Sequence, residues 1–474
     1  MAVRLIDALA TTEAMADVFS DASVLQAMLD FEVALARAEA RVGVIPQRAA
    51  RIIAAAAQPA NFNIERLAYE VLRAGTPGIP VARLLAETAS KQDAAAAGFV
   101  HWGATSQDLA DTALMLLLKK ARPILMDGLV RVESGLARLS EKQKSALMLG
   151  RTLLQAAPPV TFGLKAASWL SAIRFGRERL NSAFNDALLL QFGGASGTLA
   201  SLGDNGPAVA ERMAAILGLR LPEAPWHTRR ERLASLICAC GVITGSLAKM
   251  ARDIALLTQG EIGEAAEPGG KGRGGSSTMP QKRNPIACSL ALASAARVPG
   301  LVGSFLSAMV QEHERGVGGW QAEWPIVSSV IQATALAAES MAEVAEGVSV
   351  YKKKMRINIA ATNGAAFAER ASMLLAEKLG KSAAHELVRE ASEKSAKEGR
   401  RLSEVLAEIP EAAGYMGSTI LRELEAPEKY LGSAEEFRKA LLFSAGKQMP
   451  SKRRTNVVRA SGRARTMRRN TKER

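Results

Sequence analysis

The chain has 474 residues, which is too long for one compact core and predicts two or three domains. Hydrophobic residues make up 48% of it and aromatic residues only 4%, which favours close-packed helices with aliphatic side chains between them. The net charge is +14, but the segment from Lys447 onward supplies +10. The rest of the chain carries only +4, which does not favour nucleic-acid binding. Such a function would therefore rest on the basic tail. We expect this tail to be disordered and dispensable.

Composition also indicates the cellular compartment and whether disulfides or metal sites are expected. The three cysteines lack the number and spacing of a disulfide framework or a zinc site, which predicts buried thiols in a reducing compartment. No signal peptide precedes the first helix, and no uninterrupted apolar run reaches the roughly eighteen residues of a membrane span. We therefore expect a cytoplasmic protein with no membrane segment, no metal and no cofactor.

The first strong helical pattern covers residues 11–46. Ser20 is a plausible N-cap, apolar residues follow at helical spacing, and Gly43 supplies a stop. Short helices then lead to HWGATSQDLADTA, residues 101–113. A histidine, a glycine turn and a Thr-Ser pair before Asp108 fit a helix N-terminus that binds an anion, and they fit a simple capping box about equally well.

The next pattern predicts a long amphipathic helix over residues 114–149, followed by the segment GRTLLQAAPPVTFGLK at residues 150–165. Its polar candidates are Gln155, Thr161 and Lys165. Further on, PWHTRRER contains His227, which is more often structural than catalytic, although three nearby arginines also permit an anion-facing role.

The clearest helix is predicted over residues 231–267. Its apolar side chains repeat with alternating spacings of four and three residues, which is the seam of a helix bundle; they are Leu236, Cys240, Ile243, Leu247, Met250, Ile254 and Leu257. Two more long helices are predicted at 285–313 and 324–351. No alternation typical of a β-strand persists anywhere.

Between these helices lies GSSTMPQKRNP, residues 275–285, after a run too rich in glycine to be helical. Glycines let backbone amides approach a ligand, and amides beside an ammonium group can hold a carboxylate or a developing oxyanion. A surface linker before an ordinary helix start is the other interpretation. A second loop, QEHERGVGGWQAEW at residues 311–324, contains His313 and Arg315.

Together the motifs GATSQD, GRTLLQ and GSSTMPQKRNP resemble the three signature blocks of the fumarase/aspartase superfamily, over roughly residues 1–446. The resemblance implies an all-α protein with a three-domain fumarase/aspartase-like fold and a central bundle of long helices. It implies domains at residues 1–113, 114–351 and 352–446, before the tail at 447–474. It further implies a homotetramer whose active sites are shared between subunits.

The resemblance also implies roles for individual residues. Ser276 corresponds to the catalytic acid/base on a flexible loop. The substrate, a small anion with two or three carboxylates, would be bound by His101, Thr105, Ser106, Gln155, Thr161, Ser277, Lys282, Asn284 and Arg315.

One position departs from the lyase pattern. Where the lyases have a Thr-His pair that supplies a general acid, this chain has Thr152 and Leu153. With the string GWQAEW, this departure resembles the cycloisomerase branch, which lactonises 3-carboxy-cis,cis-muconate in aromatic catabolism. A 3-sulfomuconate cycloisomerase, a fumarate-releasing lyase of the adenylosuccinate type and a non-enzymatic helical binding protein are the alternatives.

Overall fold

The structure, a computed structural model, describes residues 5–270 and 272–443. The basic tail predicted from residue 447 lies outside the described residues. Within them the chain forms eighteen α-helices: α1 Glu13–Val18, α2 Asp21–Val42, α3 Gln47–Ala56, α4 Ile64–Ala74, α5 Gly78–Ser90, α6 Ala94–Ala97, α7 Ser106–Lys142, α8 Phe162–Ala187, α9 Gly206–Leu217, α10 Glu231–Leu257, α11 Ile286–Ala308, α12 Gly319–Gly347, α13 Lys352–Ala360, α14 Ala368–Leu379, α15 Lys381–Glu398, α16 Leu402–Ala407, α17 Pro410–Leu424 and α18 Ala434–Phe443.

The predicted helix signals at the N-terminal end are confirmed. The Ser20 hydroxyl accepts a hydrogen bond from the Ser23 amide at 3.2 Å, which satisfies a first-turn donor of α2. Gly43 ends the helix with φ of +89°, a conformation that residues with a Cβ adopt at a cost.

A bundle of the long helices α7, α8, α10, α11 and α12 forms the centre of the molecule. The predicted seam of α10 is confirmed, because all seven of its apolar side chains are buried. Burying one such side chain contributes about 2 kcal/mol, so this seam is a main source of bundle stability. Cys240 and Cys288 belong to the same core as small apolar residues, as predicted, whereas Cys238 is only half-buried and the prediction is wrong for it.

Strands occur in two places, although the sequence predicts none. Helix α7 ends at Lys142, and the chain then forms an antiparallel hairpin of β1, Leu147–Thr152, and β2, Gln155–Thr161. Pro158 and Pro159 in β2 would break a helix, so the motif adopts an extended form instead. Two further strands, β3 Ala265–Ala266 and β4 Ser349–Val350, form a single antiparallel pair.

A second, smaller core lies in the C-terminal region between α14, α15, α16 and α17. The proposed boundary between the first two domains, at residue 113, falls inside α7, and the helices on both sides of it share one continuous core. The domain limits drawn from the sequence therefore stay a prediction.

Helix α11 has an unusual surface. Both α10 and α11 are long and apolar enough to cross a membrane by length and composition, whereas the sequence predicts no such segment. The seam of α10 is inside the bundle, but only 28% of the apolar segment of α11 is buried within the described chain. Its exposed positions are mostly small residues, including Ser289, Ala293, Gly300 and Gly303.

Candidate active site

The first group of candidate residues surrounds the N-terminus of α7. Thr105 is the N-cap, with an extended backbone, and its amide donates to Asp108 Oδ2 at 3.1 Å. Amides in the first turn of a helix have no acceptor within the helix, so this end attracts an anion. His101, Thr105 and Ser106 are each half-buried and remain accessible from one side.

Asp108 fastens a glycine-rich loop to this helix end. Its two carboxylate oxygens accept hydrogen bonds from the amides of Gly193 at 3.0 Å and Gly194 at 2.9 Å. The same carboxylate lies 2.7 Å from Nε2 of His227, which is almost fully buried. The surroundings of His227 therefore support a structural role for this residue.

Arg315 joins the first group from a distant part of the sequence. Its guanidinium donates to the carbonyl oxygens of Ala195 at 3.0 Å and Gly194 at 2.6 Å, and to Gln107 Oε1 at 3.3 Å. The adjoining His313 carbonyl accepts from the Thr228 hydroxyl at 3.1 Å. These bonds place Arg315 beside the α7 N-terminus, next to Thr105 and Ser106.

A buried ion-pair network beneath this group was not predicted. Arg230, fully buried, donates to both Asp111 and Glu323 and lies over the Trp226 ring, 4.6 Å from its centroid. Burial lowers the pKa of Arg230, but the two carboxylates outweigh it and raise that pKa overall. Of the three arginines near His227, Arg230 is therefore paired with carboxylates of the protein itself.

The second motif forms the β1–β2 hairpin. Leu153 and Leu154 occupy its two-residue tip with φ of +51° and +65°, and their side chains are 97% and 75% exposed. Gln155 is exposed beside them, whereas the buried Thr161 hydroxyl accepts the Leu164 amide at 3.2 Å as the cap of α8. Within one chain, Thr161 is therefore occupied as a cap and does not meet the other candidates.

Ion pairs hold the hairpin close to its tip, because Arg151 pairs with Ala156 in the ladder only two residues before Leu153. Arg151 donates to both oxygens of the buried Glu264, at 2.9 and 2.7 Å, and Asn358 adds a third bond at 2.7 Å. Lys165 lies 3.9 Å from Asp253, and burial is the main reason its pKa is lowered. The Arg151 contacts fix the hairpin just before its tip, where the side chains of Leu153 and Leu154 remain exposed.

The third motif forms the loop before α11. The Ser276 oxygen accepts hydrogen bonds from the amides of Met279 at 3.0 Å and Thr278 at 3.3 Å. Asn284 closes the loop, since its amide donates to the Gly274 carbonyl at 2.8 Å and its side chain to the Gly275 carbonyl at 3.3 Å. Ser277 and Lys282 are exposed. Amide donors aimed at a hydroxyl oxygen also favour its anion.

The Ser276 loop is attached at the far end of α12 from the first group. Arg273 pairs with Glu343, whereas Arg230, in the network beneath the first group, pairs with Glu323. These glutamates are twenty positions apart on one helix, or about 30 Å at 1.5 Å per residue. The three residues from Arg273 to Ser276 span at most about 10 Å. Within one chain, the Ser276 loop and the first group are therefore attached to opposite ends of α12.

No group of three or more His, Cys, Asp or Glu side chains able to hold a metal occurs among residues 5–270 and 272–443. The chemistry available at the described motifs is that of hydroxyl, ammonium, guanidinium, imidazole and amide groups. Such groups bind carboxylates and stabilise developing negative charge.

Comparison with known proteins defines the class. A family model described as lyase matches residues 8–300, and one described as adenylosuccinate lyase C-terminus matches residues 364–441. The chain belongs to the lyase family of the fumarase/aspartase superfamily.

Among its relatives, the 3-carboxy-cis,cis-muconate cycloisomerase of Bradyrhizobium diazoefficiens is 44% identical, over 93% of this chain and 98% of that one. The crystal structure of 3-carboxy-cis,cis-muconate lactonizing enzyme from Pseudomonas putida matches with a TM-score of 0.86 and 40% identity, covering 93% of this chain and 98% of the other. The nitrosuccinate lyase of Streptomyces davaonensis is 37% identical over 88% of this chain and 89% of its own length. Members of the family therefore differ in their reactions.

Proposed function

We propose that the protein is a cycloisomerase that lactonises 3-carboxy-cis,cis-muconate. The observation that carries the proposal is the 44% identity to the Bradyrhizobium cycloisomerase across nearly the full length of both chains. The substitution of Leu153 for the lyase histidine supports it. The exposed hairpin tip, Leu153-Leu154, offers no proton donor to a neighbouring site.

The chemistry of lactonisation explains why a hairpin tip without a proton donor is sufficient for this reaction. A lyase that expels an amine or hydroxide must protonate a poor leaving group and so needs a general acid. In lactonisation, a substrate carboxylate attacks a double bond and forms a C–O bond. A carboxyl group has a pKa near 4, so it attacks, or leaves in reverse, as the anion without a proton partner.

The remaining requirement is one proton for carbon. Attack shifts the electron pair of the double bond toward the neighbouring carboxylate, which becomes an aci-carboxylate. In the proposed mechanism Lys282 and Asn284 stabilise that charge, and the Ser276 hydroxyl delivers the proton to carbon. The Thr278 and Met279 amides then hold the resulting alkoxide. His101, Arg315 and the α7 N-terminus would bind the other carboxylates.

Purified protein should convert 3-carboxy-cis,cis-muconate to a lactone and leave adenylosuccinate intact. Loss of diene absorbance measures the first reaction, and release of fumarate measures the second. 3-Sulfomuconate, assayed in parallel, distinguishes the two cycloisomerase specificities by kcat/KM. Efficient cleavage of adenylosuccinate with Leu153 in place, or no lactone from the carboxymuconate, would refute the proposed reaction.

We also propose that several subunits build each site. The separation along α12 of the Ser276 loop from the first group supports this, and so does the exposed small-residue face of α11, on which a second bundle can pack closely. A homotetramer with shared sites satisfies both observations.

Complementation tests the shared site. Ser276→Ala and His101→Ala should each be inactive alone, but refolding them together should restore activity. In the mixed oligomers, some sites then combine an unaltered Ser276 loop from one chain with an unaltered His101 from another. Each variant refolded alone is the control, with native mass spectrometry to count hybrids. Hybrids that form and stay inactive would show that each site lies within one chain.

A further inference from the structure

A buried carboxylate contacts one ring nitrogen of His101. Glu32 lies inside α2, and its Oε1 is 2.5 Å from Nδ1 of His101, sixty-nine residues away in sequence. The Glu32 side chain is 1% exposed and that of His101 is 17% exposed. The imidazole therefore contacts a buried acid through Nδ1 and is itself partly exposed.

The protonation of this pair follows from its geometry. A carboxylate accepts hydrogen bonds, and the hydrogen bond to Glu32 is then made by a proton on Nδ1 of His101. Nε2 is then the ring atom left for a ligand. The backbone of His101 is held at φ +58°, in the left-handed region, which a residue with a Cβ adopts when its surroundings enforce it.

We propose that Glu32 is a positioning residue for His101, keeping the ring cationic with Nε2–H directed at a substrate carboxylate. This inference rests on the proposed function for the identity of the anion. The lactonisation substrate has three carboxylates. If each is paired with one cationic side chain, Lys282 and Arg315 account for only two of them. The Glu32–His101 pair supplies the third from the first group of residues.

The surrounding charges agree with this role. Burial lowers the pKa of His101, but Glu32 on α2 and Asp108 on α7 raise it, and the net pKa lies above the ordinary value. The ring therefore stays protonated below that raised pKa and loses its charge as the pH rises through it. Glu39, one further carboxyl on α2, has its pKa raised to about 9 by burial and by Glu32, so it is neutral at pH 7.

Glu32→Gln tests the proposal, with Glu39→Gln as the matched control. Glu32→Gln removes the negative charge beside the ring and should lower the pKa of His101. The KM for carboxymuconate at pH 7.5 should rise about tenfold with a smaller change in kcat, and the alkaline limb of kcat/KM should move to lower pH. Glu39→Gln replaces an acid that is already neutral and should leave all three quantities unchanged.

Nitrogen NMR of the histidines gives a readout that needs no substrate. The chain has four histidines, and His101→Gln assigns the signal of interest. In the wild type, His101 should show a protonated Nδ1 and a raised pKa, a test that stands even if Glu32→Gln fails to fold. A bare Nδ1, or an unshifted His101 pKa in Glu32→Gln, would overturn the proposal. A correct titration with no lactonisation would instead refute the proposed function alone.

Discussion

Ser276→Ala should lower kcat by at least about a hundredfold, the usual contribution of one general acid/base, while the fold stays intact. The hydroxyl is the one group in the Gly275–Pro285 loop that accepts two main-chain amides, from Thr278 and Met279. Those donors make its alkoxide accessible, and no other hydroxyl of the loop is placed in the same way. Steady-state lactonisation and the circular dichroism spectrum measure the two parts of this expectation.

Ser277→Ala is the matched control because it removes the same atom one residue further along. Its hydroxyl is exposed, and we assign it only to binding, so KM should rise while kcat falls by less than about tenfold. If Ser277→Ala loses turnover and Ser276→Ala retains it, the two assignments must be exchanged. If both retain it, the proton donor lies outside this loop.

Local signals in the sequence predicted the elements that depend on local physics. The α10 seam needs only a repeating apolar pattern, and the ends of α2 need only Ser20 and Gly43, so both could be predicted. The hairpin at residues 147–161 was missed because its apolar start continues the pattern of α7. The two prolines of β2 were the available signal against a helix.

Some residues of the candidate site could likewise be predicted from the sequence, and others could not. Motif residues such as Thr105, Ser276 and Asn284 lie in strings that a resemblance can identify, and their roles stay predictions. Glu32 lies at helical spacing from Leu29 and Leu35, on the apolar face of α2, and this spacing was the available signal of its burial. The partners of Glu32 and Glu323, which are His101 and Arg230, are sixty-nine and ninety-three residues away, so only the packing of α2, α7, α10 and α12 brings them together.

The other large effect concerns stability. Arg230→Met should reduce the free energy of unfolding by about 3–5 kcal/mol, the cost of leaving a buried charge without its partner. Arg230 is fully buried, and its guanidinium is bonded to both Asp111 and Glu323. Methionine can fill much of the volume over Trp226, so the loss reports on charge more than on packing. Urea denaturation followed by circular dichroism measures it.

The pH dependence separates the lost charge from a packing defect. Burial already raises the folded-state pKa of Glu323 in the intact network, and without Arg230 burial should raise it further above its unfolded value. A carboxyl group with a raised folded-state pKa costs stability as the pH rises from its unfolded pKa through its folded one. The deficit of Arg230→Met should therefore be larger at pH 8 than at pH 5.

Arg232→Met, two residues along, is the matched control. Arg232 pairs with Glu223 at 3.1 Å, with side chains 35% and 73% exposed, so its loss should cost less than about 1 kcal/mol and vary little between pH 5 and pH 8. Adding Glu323→Gln to Arg230→Met should recover part of the deficit by removing one unpaired charge. Equal effects of the two arginine variants, or no recovery in the double variant, would mean that Arg230 contributes packing and that its buried charge carries no particular weight.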